Sequence, residues 1–184
     1  MRIATIGTGA IVEQFIEDAL SIEGVSFGAV YSRDKERGEI FAKPYKIGKV
    51  YTDLDEMFQD PEIDFIYIAS PNSLHYSQAM LAMDYGKNVI VEKPFAGNQV
   101  RAQEMVRKAK DKNVFLFEAI CNIHMPNFKF IESNLDKLGD IKVVQANFSQ
   151  YSSRYDALMA GETPNVFNPK FSGGALADIN IYNL

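Results

Sequence analysis

Short β-branched runs alternate with amphipathic stretches from the first residues of this 184-residue chain onward. That order builds a parallel sheet with helices on both faces, so it narrows the fold more than any other feature. Arg2 to Ile6 reads as a strand; Val12, Phe15, Ile16 and Ala19 then recur at i, i+3, i+4 and i+7, so a helix buries that stripe against the sheet. Val25 to Tyr31 is a second strand, Asp34 to Ala42 its charged return helix, and Lys46 to Tyr51 a weaker third strand. Asp53 with Glu56 is a capping pair for a short helix that stops at Asp60-Pro61. Ile63 to Ala69 is nearly all apolar, as a central parallel strand covered on both faces must be. The next helix is expected to turn Tyr76, Met80 and Met83 inward and to end at Gly86. A strand from Asn88 to Val91, a helix marked by Ala102, Val106 and Ala109, and a strand from Val114 to Phe117 complete the series. The expected fold class is α/β, a doubly wound parallel sheet.

The pattern changes after residue 120. Phe128, Ile131, Leu135 and Leu138 mark a helix stopped by Gly139, and a strand is expected from Ile141 to about Tyr151, with Val144, Ala146 and Phe148 on one face. Ala175 to Leu184 could form a last helix. The expected division is therefore residues 1–120 as one complete domain and 121–184 as the beginning of a second α/β domain.

Composition excludes several function classes. A formal charge of −5 supplies no clustered excess of Lys and Arg for nucleic acid or an anionic membrane. Cys121 is the only cysteine, which rules out an intramolecular disulfide and fits a reducing cytoplasm. The first apolar run, broken at Gly7, is too short for an export signal or a membrane span. His75 and His124 lie far apart with no acidic or thiol cluster beside them, so no metal site is expected.

Gly7-Thr8-Gly9-Ala10-Ile11-Val12 follows a strand and opens a helix, where bare backbone amides can receive a pyrophosphate: the Rossmann arrangement. Val12 departs from the Gly or Ala usual at that position and implies slightly looser helix-to-strand packing. A tight turn without a ligand is the plainer alternative. At the end of the second strand stands Ser32-Arg33 rather than an acid, which favours the 2′-phosphate of NADP over the ribose of NAD. NAD stays open, because Asp34 could still reach a ribose and Arg33 could be an ordinary solvated turn residue. Ser70-Pro71-Asn72-Ser73-Leu74-His75 and Glu92-Lys93-Pro94 close the fourth and fifth strands at the edge where doubly wound sheets bind ligands. Ser70, Pro71, Asn72, His75, Glu92 and Lys93 are thus cofactor-site candidates. A capped turn and a surface lysine are the bland readings of those two motifs. Asp178 and Tyr182 stand at i and i+4, on one face if the segment is helical.

Taken in order, Gly7-Thr8-Gly9-Ala10-Ile11, Ser32-Arg33, the Ser70 to His75 segment, Glu92-Lys93-Pro94, Phe117-Glu118-Ala119 and the closing Gly-Gly-Ala-Leu-Ala-Asp block resemble the Gfo/Idh/MocA oxidoreductases. The resemblance implies an N-terminal dinucleotide-binding domain for NADP or NAD, with Glu118 among its cofactor-site residues. It also implies a second domain whose open sheet commonly forms a homo-oligomer interface, and sugar, cyclitol, dihydrodiol or other polyol substrates. In that scheme Lys93 looks like the catalytic lysine, Asp178 like the acid of the closing helix, and Tyr182 like the proton carrier of the dihydrodiol dehydrogenase branch. Asn180 stands where Gly is usual and Ile123 where that branch tends to carry Arg. Members of this family continue well beyond residue 184, so the resemblance describes a C-terminally truncated member. Two competing readings remain: a non-catalytic dinucleotide-binding or self-associating module, and a methyltransferase using the same glycine loop.

Overall fold

Five residues, Arg2–Ile6, form β1, and all but the first are buried, because the strand runs through the middle of a sheet covered on both faces. The structure, a computed structural model, describes residues 1–183, with the side chain of Ala177 left aside. Five further strands follow: β2 (Ser26–Tyr31), β3 (Lys49–Tyr51), β4 (Phe65–Ile68), β5 (Asn88–Glu92) and β6 (Leu116–Ala119). Their spatial order is β3-β2-β1-β4-β5-β6, with the β1/β2, β1/β4, β2/β3 and β4/β5 pairs parallel. This order reverses direction between β1 and β4, the switch point at which such sheets leave a crevice beyond the carboxyl ends of the strands.

The helices of this half are α1 (Ala10–Leu20), α2 (Lys35–Ala42), α3 (Leu54–Gln59), α4 (Asn72–Asp84) and α5 (Gln99–Lys112). Helix α1 buries Val12, Ile16 and Ala19 as its spacing predicts, and Phe15 stacks on Tyr67 with ring centroids 3.8 Å apart. Asp34, Asp53 and Asn98 cap α2, α3 and α5 by accepting from the amide three residues on. The main core lies on one face of the sheet, where Ile6, Ile66, Ile68 and Val89 meet Met57 and Phe58 of α3, Met83 of α4 and Met105 of α5.

Three element expectations need correction here. Helix α4 turns His75, Gln78, Ala79, Ala82 and Met83 inward and leaves Tyr76 and Met80 at the margin, a one-position rotation that brings two polar side chains under the sheet's upper edge. In α5 the buried residues are Met105 and Ala109, while Val106 faces out. The final strand of the sheet lies two residues later than its apolar run suggests.

Two compact units divide the chain, Met1–Glu118 and Ala119–Leu184. The second contains α6 (Pro126–Glu132), α7 (Tyr155–Met159), α8 (Ala175–Asp178) and several single 3₁₀ turns. The single helix expected through Phe128, Ile131, Leu135 and Leu138 is broken: α6 ends at Glu132, a 3₁₀ turn spans Leu135–Leu138, and the four side chains are exposed. The strand expected from Ile141 to about Tyr151 does not form; residues 141–150 belong to no helix or ladder and are exposed. A strand is defined by backbone bonds to a neighbour, and among the described residues nothing pairs with this segment. The expected closing helix is likewise shorter, with α8 giving way at Ile179 to a 3₁₀ turn over Asn180–Asn183; Leu184 lies outside the described residues.

Candidate functional site

A cleft of about 560 Å³ opens at the switch point, lined among others by Gly7, Thr8, Gly9, Ser32, Arg33, Arg37, Ser70 and Pro71. Its floor is the loop between β1 and α1. Gly7 takes φ +122°, and a Cβ there would meet the Ala69 carbonyl oxygen at 2.8 Å, so the turn itself demands glycine. Gly9 differs. Its φ of −102° suits any residue, and a Cβ built on it meets nothing within 4 Å. The protein's own packing does not require glycine at residue 9, whereas a ligand lying against the backbone does.

Gly9 is also the N-cap of α1, no side chain caps that helix, and Gly9 itself lines the cleft. Helix α4 likewise begins without a side-chain cap, behind Pro71. Ala10 and Ile11 form the exposed first turn of α1. Val12 is fully buried against the loop, its Cγ2 3.4 Å from where a Gly7 Cβ would stand, so the helix packs closely and the expected looseness is absent.

The basic wall stands at the end of β2. Ser32 is buried and its Oγ accepts from the Asp34 amide at 3.3 Å; Arg33 is exposed. The Asp34 carboxylate accepts from the Arg37 amide at 3.1 Å as the cap of α2. That bond commits one oxygen of the acid to its helix, and α2 in turn places Arg37 on the same cleft as Arg33. Sequence reasoning missed Arg37. The signal was available in the Asp34 cap, which sets residue 37 in a first helical turn directly after Ser32-Arg33. Gly38 allows the approach: a Cβ there would lie 2.6 Å from Val50 Cγ1 and 3.0 Å from Ser32 Cβ.

Of the other expected site residues, Ser70 lines the cleft, whereas His75, Glu92, Lys93 and Glu118 are not among its lining residues. Ser70 Oγ donates to Gln78 Oε1 at 2.6 Å. His75, 1% exposed, is absent from the cleft wall; its Nδ1 is 3.0 Å from the Pro94 carbonyl and its Nε2 2.9 Å from the Ser70 carbonyl. Its ring spans the two loops. Glu92 accepts from the Tyr67 hydroxyl at 2.7 Å and from the Lys93 amide at 3.3 Å, and Glu118 accepts from the Phe95 amide at 3.0 Å. Burial pushes the Glu118 carboxyl above the usual carboxylate range, opposed by the Phe95 amide and reinforced by the Glu92 charge. Burial first, and then the Glu92 carboxylate, raise the Tyr67 phenol well above its ordinary range. Lys93 is half-buried, and the Lys93–Pro94 peptide is cis. Asn72 opens α4.

In the second unit Asp178 ends α8 and Tyr182 follows in the 3₁₀ turn, its ring stacked on Phe148 at 5.3 Å and its carbonyl accepting from Asn122 Nδ2 at 3.1 Å. The two are therefore not the i and i+4 residues of one α-helix. Among the described residues no group of three His, Cys, Asp or Glu side chains could hold a metal ion, and no helix is long and apolar enough to cross a membrane.

A parallel sheet ordered 3-2-1-4-5-6, with a glycine loop and an uncapped helix start at its switch point, defines a Rossmann-type dinucleotide-binding fold. Residues 1–120 match the GFO_IDH_MocA family, described as an oxidoreductase family with an NAD-binding Rossmann fold, and the chain belongs to that family. It is 44% identical to the scyllo-inositol 2-dehydrogenase (NADP(+)) IolU of Bacillus subtilis over 99% of this chain and 56% of that one. It is 32% identical to the trans-1,2-dihydrobenzene-1,2-diol dehydrogenase of Xenopus tropicalis over 84% of this chain and 45% of that one. An NAD binding oxidoreductase from Klebsiella pneumoniae superposes with a TM-score of 0.66 at 30% identity, over 74% of this chain and 39% of that one. The chain spans about half the length of the curated relatives it matches.

Proposed function

We propose that the chain is the cofactor-binding part of an NADP-dependent oxidoreductase acting on the CH–OH group of a cyclitol, sugar or related diol. One observation carries this reading: Gly9, Ser32, Arg33 and Arg37 line a single cleft, so an open backbone floor and two guanidinium groups face the same ligand. The floor suits a pyrophosphate, and the paired guanidiniums suit a 2′-phosphate, which they meet with planar charge-assisted donors. The relatives named for NADP and for inositol, dihydrodiol and D-xylose oxidation support both halves of the proposal. NADP, when bound, supplies the nicotinamide that takes up or releases hydride.

The chain's own residues handle the proton. In this reading Tyr182 carries the substrate hydroxyl proton, Lys93 supplies a cation to the reaction, and Asp178 orients a substrate hydroxyl. An ordinary phenol titrates near pH ~10, so a cation must assist it for work near neutrality. Residues 119–184 would then begin the substrate domain, and the alternating 141–151 segment would pair with further strands in a sheet that also joins subunits. A single cysteine and no pairing partner fit a reducing cytoplasm.

The test is a calorimetric titration of the chain and of Arg33→Ala with NADPH and NADH, followed by a single-turnover absorbance measurement with NADP and scyllo-inositol. NADPH binding that weakens at least about tenfold in the variant, with NADH unchanged, supports the 2′-phosphate role. Equal binding of both cofactors by both proteins overturns it. The unladdered 141–150 segment favours a second reading, a dinucleotide-binding module without turnover, which predicts binding in the first measurement and no absorbance change in the second.

A further inference from the structure

The backbone around Lys93 is held at three successive points by side chains that do not line the cleft. Glu92 accepts from the Lys93 amide, His75 meets the Pro94 carbonyl, and Glu118 accepts from the Phe95 amide. Each grip is anchored elsewhere. Glu92 is fixed by the Tyr67 hydroxyl at 2.7 Å, His75 by the Ser70 carbonyl at 2.9 Å, and Glu118 by its place in β6. Both partners of His75 are carbonyl oxygens, which only accept, so a neutral ring donates to one of them and contacts the other, lying between the Ser70 loop and the Lys93 loop. Because Ser70 lines the cleft, His75 also ties the cleft's rim to the lysine.

A structural loop at a strand end needs no such set of polar braces. Two half-buried carboxylates placed near each other repel, and burial first, then the Glu92 charge, push the Glu118 carboxyl above the usual carboxylate range. Such groups hold a loop in one geometry when the side chain it presents must be placed with small tolerance.

We propose that His75 and Glu118 are positioning residues for Lys93, fixing the backbone on its C-terminal side so that the ammonium is presented in one geometry. This rests on the reading of Lys93 as a catalytic residue, but its test needs neither turnover nor cofactor. The chain is reductively methylated with ¹³C-formaldehyde, the Lys93 signal is assigned by its loss in Lys93→Arg, and its titration is followed by NMR. Glu118→Ala and His75→Ala should each move the Lys93 midpoint by at least about half a pH unit. Glu118→Gln keeps an acceptor for the Phe95 amide and should stay close to the unsubstituted chain. Met105→Ala, a core cavity away from these hydrogen bonds, should lower stability and leave the Lys93 midpoint in place.

An unchanged midpoint in both alanine variants overturns the proposal, and so does Glu118→Gln moving as far as Glu118→Ala, since that would make the effect one of charge alone. If His75→Ala fails to fold, the half-buried Glu118 decides. Adding NADPH to the same samples separates the two readings: no binding with a shifted midpoint removes the cofactor assignment and keeps the brace.

Discussion

Gly7 and Gly9 sit two residues apart and are glycine for opposite reasons. At Gly7 the left-handed φ and the Ala69 carbonyl exclude a side chain whether or not a ligand is present. At Gly9 the backbone is ordinary and the space beside it is open, so only a bound molecule would object to a methyl group. Gly9→Ala is therefore expected to leave the melting temperature within about 2 °C of the original and to weaken NADPH binding at least about tenfold; calorimetry with a thermal melt on the same sample checks both. A variant that binds NADPH normally would show that the pyrophosphate lies elsewhere. The glycine spacing was readable in the sequence because each glycine answers to its immediate neighbours. His75 was not. What turns it inward is a pair of carbonyls, and one of them, on Pro94, is 19 residues away, a distance no local pattern spans.

Helix α2 links local chemistry to ligand choice. Its cap, Asp34, holds the first turn, and that turn carries Arg37 onto the cleft beside Arg33. Asp34→Ala should cost about 1 kcal/mol of stability and weaken NADPH binding more than NADH binding, because a frayed first turn no longer holds the second guanidinium. Chemical denaturation and paired titrations measure the two effects, and equal losses for both cofactors would argue against a 2′-phosphate contact by Arg37. Caps such as Asp34 and Asp53 are legible because they act within three residues. The segment 141–151 shows the opposite limit. Its two-residue alternation is a correct signature of strand, yet a strand is completed only by a partner's backbone, and among the described residues none is offered. Helix α4 fails more subtly: Tyr76 and Met80 are the more apolar choices, but the polar demand above the sheet rotates His75 and Gln78 inward.

At the scale of the sheet, the edge opposite the cleft is tied together by one buried acid. Asp60 accepts from Lys49 Nζ at 2.7 Å and from the Tyr51 hydroxyl at 2.9 Å, both on β3, while its backbone carbonyl accepts from the buried Lys87 ammonium at 2.7 Å, just before β5. The outermost strand β3 is thereby joined to the loops that feed β4 and β5 across the width of the sheet. The Lys49 ammonium first, then the Glu62 amide and the Tyr51 hydroxyl, outweigh burial and hold the Asp60 carboxyl down at about 2. A carboxylate whose pKa falls on folding stabilises the native state above its unfolded value, near pH ~4, and loses that contribution as the pH falls through the folded value. Urea denaturation of the chain and of Asp60→Asn at pH 7, 4 and about 2 should therefore show a stability gap that is widest at pH 7, narrows below pH ~4 and nearly closes by pH ~2. A gap that stays constant across that range would mean that Asp60 holds the sheet edge by shape and hydrogen bonding alone, and that its ionisation contributes nothing to the fold.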